Sequence, residues 1–249
     1  MEYALFFGVE ASAFALVLVL LAALVGGIAQ SMLGFGAAFT TVPALALVAP
    51  ELLPGSVLVG ILPLSVMMLL QARADVDVRA VGRLSIGRLP GIVVGTVVVA
   101  VLPTRALTFA IATMLLLAVV ASATGLQVAV TTRREVAAGF LSGVTGTAAA
   151  LGGPPLALLY RGSASSMLRP TLAAVWAVGL IPILVSLRLA GEFTLEQAQA
   201  GAVLAVMMLV GLAVAGPILQ RVAESTLRSG ILWWAGLGGV LAAGRAVIG

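Results

Sequence analysis

Between Ala11 and Ala49 the chain carries no charged residue. A run of this length has no place on a soluble domain; it belongs in a bilayer, whose ~30 Å hydrocarbon core takes roughly 20 helical residues to cross. Inside it stands GFGAAFTTVP, Gly34 to Pro43. Two glycines, two threonines and a proline interrupt the run, and in hydrocarbon a broken helix leaves backbone groups without partners. Irregular backbone at that depth is tolerated only where protein buries it or it lines a wet cavity. The run therefore predicts both a membrane environment and a protected break.

The remaining chain agrees. Of 249 residues 62% are hydrophobic and 9% charged, against about half and about a quarter in a soluble domain. The alternating pattern of barrel strands is absent. Six runs read as full spans, about 54–70, 89–103, 106–126, 170–187, 197–219 and 229–244. QARADVDVRAVGR (Gln71 to Arg83), TTRRE (Thr131 to Glu135), RLAGEF (Arg188 to Phe193) and QRVAESTLR (Gln220 to Arg228) separate them as loops. Glu2 and Glu10, with no basic neighbour, speak against a cleavable secretory signal. There is no Cys and no His, and all 13 basic residues are Arg. Disulfides, thiolate nucleophiles, imidazole metal ligands and Schiff-base lysines are thereby excluded. The expectation is an all-α polytopic membrane protein, not an enzyme, with no cofactor and no metal site.

GIAQSMLGFGAAFTTVP (Gly27 to Pro43) has a partner in GFLSGVTGTAAALGGPP (Gly139 to Pro155). In register they match at Gly27/Gly139, Gly34/Gly146, Ala37/Ala149, Ala38/Ala150 and Pro43/Pro155. A span starting with proline follows each, at Pro54 and Pro170, and two more spans follow each of those. The chain reads as a duplication, as in many secondary transporters. Residues 1–130 form the first repeat, with a broken hairpin at about 11–49. Residues 131–249 form the second, with a broken hairpin at about 136–165.

If each motif is re-entrant, each repeat has three full spans and the repeats are inverted. With the N-terminus outside, only Arg105, Arg188 and Arg245 then lie outside and the other ten arginines lie inside. If each motif crosses instead, eight helices result, with eight arginines inside and five outside. The positive-inside rule favours the hairpins. Residues 11–33 are long enough to cross alone, which keeps the eight-helix alternative open.

In the hairpin arrangement TTVP and GGPP (Gly152 to Pro155) look like starts of half-helices near mid-membrane. Their free N–H groups and positive dipole ends would make an anion site. The candidate binding residues are Gln30, Ser31, Gly34, Gly36, Thr40 and Thr41 from the first motif. Ser142, Thr145, Gly146, Thr147, Gly152 and Gly153 come from the second. Arg161 is a candidate for capture at the cytoplasmic mouth. Against this, small residues pack membrane helices and Thr hydroxyls bond back to their own backbone. Trp176 reads as core, and Arg169 as a topology determinant.

At GGIAQSMLGFGAAFTTVP (Gly26 to Pro43), at GFLSGVTGTAAALGGPP and in the duplicated layout, the sequence resembles the sulfite/organosulfonate exporter family (TauE/SafE). The first motif departs from the denser glycine run that family members often carry there, and Thr40 and Thr41 narrow or re-aim that side. The resemblance implies a secondary transporter exporting sulfite, thiosulfate or an organosulfonate from the cytoplasm. The alternatives are a carrier of another small anion such as a carboxylate, and a non-transporting membrane assembly subunit. The implied setting is a bacterial-type inner membrane. The expected partners are a small anionic substrate and the lipid bilayer, with no nucleic acid; a homodimer is compatible with the sequence.

Overall fold

The computed structural model describes residues 3–6, 9–123, 128–160, 165–219 and 222–248. A short antiparallel hairpin, β1 (Tyr3–Phe6) and β2 (Val9–Ser12), leads into a helical body. The first part of that body is α1 (Ala13–Leu33), α2 (Ala37–Val48), α3 (Gly55–Gln71), α4 (Val78–Val101) and α5 (Thr104–Ala123). The second part is α6 (Thr132–Ala149), α7 (Gly153–Leu159), α8 (Ser165–Leu189), α9 (Leu195–Leu219) and α10 (Glu224–Ile248). Each part is thus a broken pair followed by three helices.

Among the described residues six helices are long and apolar enough to cross a membrane: α1, α4, α5, α8, α9 and α10. The expected span at 54–70 is α3, a shorter apolar helix of 17 residues. Their outward faces are apolar, as a lipid-facing surface requires. Val97, Leu117, Ile181 and Trp233, for example, are more than half exposed.

Several expected boundaries move. The span expected from 89 begins at Val78, so much of the Gln71–Arg83 loop is helix. Asp77 caps it, its Oδ1 accepting from the N–H groups of Arg79 and Ala80 at 3.0 Å each. Thr131 likewise caps α6, which takes in Arg133, Arg134 and Glu135. TTVP is not a helix start. α2 begins at Ala37, and Thr40, Thr41 and Pro43 lie inside it. GGPP is one: Gly152 is the N-cap of α7, and Pro154 falls in the first turn, where its missing N–H costs nothing. Pro170 does not open its helix either, since α8 begins at Ser165.

Contacts between helix termini define two ends of the molecule. At one, Arg105 donates from Nε to the Ala246 carbonyl at 2.6 Å, Arg245 donates to the Leu47 carbonyl, and Gln197 donates to the carbonyls of Glu51 and Leu53. At the other, Arg228 donates to the Ser122 carbonyl, the Asp77 N–H donates to the Thr171 hydroxyl, and Arg83 pairs with Glu135. Tyr160, just after α7, donates to Glu135 near the start of α6 at 2.7 Å. The second broken pair therefore enters and leaves at the same end.

α1 packs along α9 as α6 packs along α4, and α3 meets α8 across the centre. The seams agree residue by residue. A Cβ on Gly27 would stand 2.2 Å from the Met208 carbonyl oxygen, and one on Gly139 2.1 Å from that of Leu84. A Cβ on Gly211 would meet the Leu24 carbonyl and the Ile28 nitrogen; one on Gly87 would meet the Val136 carbonyl and the Phe140 nitrogen. The separation that takes Gly27 to Gly139 also takes Leu24 to Val136 and Ile28 to Phe140. Backbones this close admit only glycine, the small-residue packing that membrane helices use without a hydrophobic drive between them.

Candidate functional site

The first helix break is built by glycine. Gly34 and Gly36 sit at φ 80° and 136°, values that side chains rarely adopt, and the chain reverses between α1 and α2. Gln30 closes the reversal, its Oε1 accepting from the Ala37 N–H at 3.3 Å, while its Nε2 lies 3.4 Å from the Ser65 hydroxyl. The second break uses Ala150 in the left-handed region, at φ 58°. Leu151 N–H returns to the Thr145 carbonyl, and the Thr145 hydroxyl donates to the carbonyls of Leu141 and Leu151.

The two breaks meet. A Cβ on Gly153 would stand 3.1 Å from the Cβ of Phe35, which lies between Gly34 and Gly36. Around this meeting lies a cavity of about 30 Å³, room for a water or two and too small for a sulfonate. Its wall takes Gln30, Phe35, Gly36 and Phe39 from the first broken pair and Gly146 and Ala150 to Pro154 from the second. Leu58 and Ile61 of α3, Arg88 of α4, and Trp176 and Leu180 of α8 complete it.

Of the residues expected to bind, Gln30, Gly36, Gly146, Gly152 and Gly153 line this cavity. Gly34 stands just behind it, its carbonyl accepting from Trp176 Nε1 at 3.0 Å. The hydroxyls are placed differently. Ser31 donates to the Gly27 carbonyl and Thr40 to that of Ala37, so both serve their own helices. Thr145 stitches its own break. Thr41, Ser142 and Thr147 are fully buried with no hydrogen-bond partner for the hydroxyl oxygen, and none lines the cavity. The Ser142 oxygen comes nearest, 3.1 Å from where a Gly152 Cβ would be. Arg161 lies outside the described residues.

Two residues outside the expected binding set stand in the wall. Arg88, expected in a cytoplasmic loop, is 2% exposed. Its guanidinium lies over the Trp176 ring, 4.8 Å from the centroid, within the range of a cation–π contact. Its Nη1 donates to the Val175 carbonyl at 3.3 Å, and its Nε has no partner. Among the described residues no carboxylate stands within ion-pair distance of it. Trp176, expected as core, touches both breaks: its indole N–H bonds Gly34, and its Cζ3 stands 3.0 Å from a Gly152 Cβ. The signal for Arg88 was Asp77. An Asp N-cap opening a helix there places Arg88 three turns in.

A chain of long apolar helices, with two broken pairs meeting inside around a small cavity, defines a multi-pass membrane protein of the transporter class. The particular family is also established. The profile of the family described as Sulfite exporter TauE/SafE matches residues 19–242, and this chain belongs to that family. No curated protein and no solved structure matches it.

Proposed function

We propose that this protein is a secondary carrier that exports a small sulfur-containing anion, such as sulfite, thiosulfate or an organosulfonate, from the cytoplasm. The observation that carries this reading is the meeting of the two breaks: Phe35 of one packs on Gly153 of the other beside a cavity that both line. Backbone freed from helical bonding, deep inside a membrane protein, is the usual form of a transporter's substrate site. The cavity is too small for the substrate, so the halves must separate to admit it and rock against each other to release it.

The matched seams support two inverted repeats, divided near residue 130, with α1 entering from one end and α6 from the other. Arg105, Arg188 and Arg245 fall near one end, and Arg73, Arg79 and Arg83 near the other. The second end is then cytoplasmic and the N-terminus outside, in a bacterial-type inner membrane. Export of an anion from a negative interior gains about 2.3 kcal/mol per charge per 100 mV, so uniport suffices.

The test is flux from proteoliposomes loaded with sulfite or methanesulfonate under an inside-negative potential. Efflux above that of protein-free vesicles, rising with the potential, is expected. No flux of either anion would defeat the sulfur-anion reading; acetate efflux from the same vesicles would then mark a carboxylate carrier, and its absence an assembly role.

A further inference from the structure

We infer that Arg88 is the counter-charge for the transported anion, and that a single fixed cation makes the site selective for monoanions, hydrogensulfite and organosulfonates, over dianions, which removes thiosulfate from the candidate substrates. This rests on the carrier reading above. Among the described residues Arg88 is the only ionisable one in the cavity wall. A guanidinium presents a planar fork of donors matched to the oxygens of a sulfonate or hydrogensulfite. Here that fork is held in place but not consumed. The ring of Trp176 supports one face, the Val175 carbonyl takes one hydrogen, and Nε, packed against Gly179 of α8, makes no hydrogen bond. Nη2 points along the second break, 3.7 Å from a Gly146 Cβ. A buried cation without a counter-charge is costly, and an arriving anion lowers that cost.

The charged groups around Arg88 are engaged elsewhere. On α4 itself Arg83 is paired with Glu135 of α6, and Tyr160 donates to that same carboxylate. On α8, Arg169 stands against Gly34 with its own interaction. None of these lines the cavity. The separation that pairs Leu84 with Met208 and Gly87 with Gly211 pairs Arg88 with Leu212, so the second repeat supplies no second cation. One guanidinium neutralises one negative charge. A monoanion leaves the closed site neutral, whereas a dianion leaves a net charge where little water remains to solvate it.

The experiment measures thermal shift and calorimetric binding of the purified protein with methanesulfonate, sulfite and sulfate at matched ionic strength. The variants are R88Q and R88K, checked by helix content and gel filtration. Wild type should bind methanesulfonate at least about tenfold more tightly than sulfate. Apparent affinity for total sulfite should rise as pH falls and the dianion gives way to hydrogensulfite, while methanesulfonate affinity stays flat over the same range. R88Q should lose about tenfold or more in methanesulfonate affinity, and R88K should bind weakly but keep the monoanion preference. Sulfate binding as tightly as methanesulfonate in wild type would overturn the charge rule, and that comparison needs no variant to fold. A folded R88Q that binds and transports like wild type would overturn the assignment of Arg88 while leaving the carrier reading intact. A wild type that neither binds nor transports any of these anions would sink both.

Discussion

The two broken pairs share a scaffold and differ in chemistry. Gly27 and Gly139 occupy the same place in the two repeats, and each lies against a backbone carbonyl of the neighbouring long helix. Beyond those contacts the halves diverge. The α4–α6 seam adds Gly91 and Gly143, whose Cβ positions run into Phe140 and Arg88 carbonyl oxygens; Ala215 and Ser31 stand at the matched places on the α1–α9 seam. The first break turns on two glycines and the second on a left-handed alanine. The second pair is tied at its mouth by Arg83, Glu135 and Tyr160, and Ala23 stands where Glu135 would be. Arg88 has Leu212 as its counterpart. The glycine seams recur in both halves, whereas Arg88 and the Arg83–Glu135–Tyr160 tie stand in one.

The seams give the strongest test of this comparison. Gly87→Leu should unfold or severely destabilise the protein, by more than about 4 kcal/mol, because its Cβ would already stand 1.9 Å from the Val136 carbonyl oxygen. Gly211→Leu, with 2.4 Å to the Leu24 carbonyl oxygen, should be harmful but less so. Melting in detergent ranks them, and tolerance of both would mean the seams are not where the halves hold together.

The tie at the second mouth comes next. Glu135→Gln removes the charge that meets Arg83 at 2.6 Å but still accepts from Tyr160. A loss of about 2 kcal/mol is expected, below that of a fully buried pair because Arg83 is one-third exposed. A loss in stability without change in anion affinity would confine this triad to holding the hairpin. Equal weakening of anion affinity would join it to the site.

The breaks themselves should respond in opposite directions. Gly36→Ala forces a side chain into φ 136° and to within 2.9 Å of the Ala29 Cβ, so it should destabilise. Ala150→Gly should stabilise by about 1 kcal/mol, since it relieves left-handed strain. A destabilised Ala150→Gly would show that its methyl packing outweighs the strain.

The smallest effects are expected at the hydroxyls. Thr41→Val and Thr147→Val remove buried hydroxyls that make no hydrogen bond, so stability should rise by about 1 kcal/mol and anion affinity change by less than about threefold. A tenfold loss of affinity in either would return that hydroxyl to the binding surface and show that it reaches the substrate in a more open state.

Much was legible along the chain because it concerns local chemistry. Length, apolarity and the paired glycine–proline motifs were enough to read a helical membrane protein with two interrupted helices, and the resemblance carried by those motifs named its family. That Gln30, Gly36, Gly146, Gly152 and Gly153 would line an interior cavity was legible because a break deep in a membrane must be protected. The rest depended on how helices pack. Charge pattern alone put Arg88 in a loop, since an arginine in an apolar run reads as its end; only α4, α6 and α8 together provide a burial site with an aromatic face for it. Pattern alone also gave every motif hydroxyl the same weight, whereas rotation of each helix about its axis decides which one faces the cavity, a neighbour or its own carbonyl. A linear sequence records which groups are present, but which of them face one another is set by helix rotation and crossing, and these are decided by the backbone contacts at Gly27, Gly87, Gly139 and Gly211.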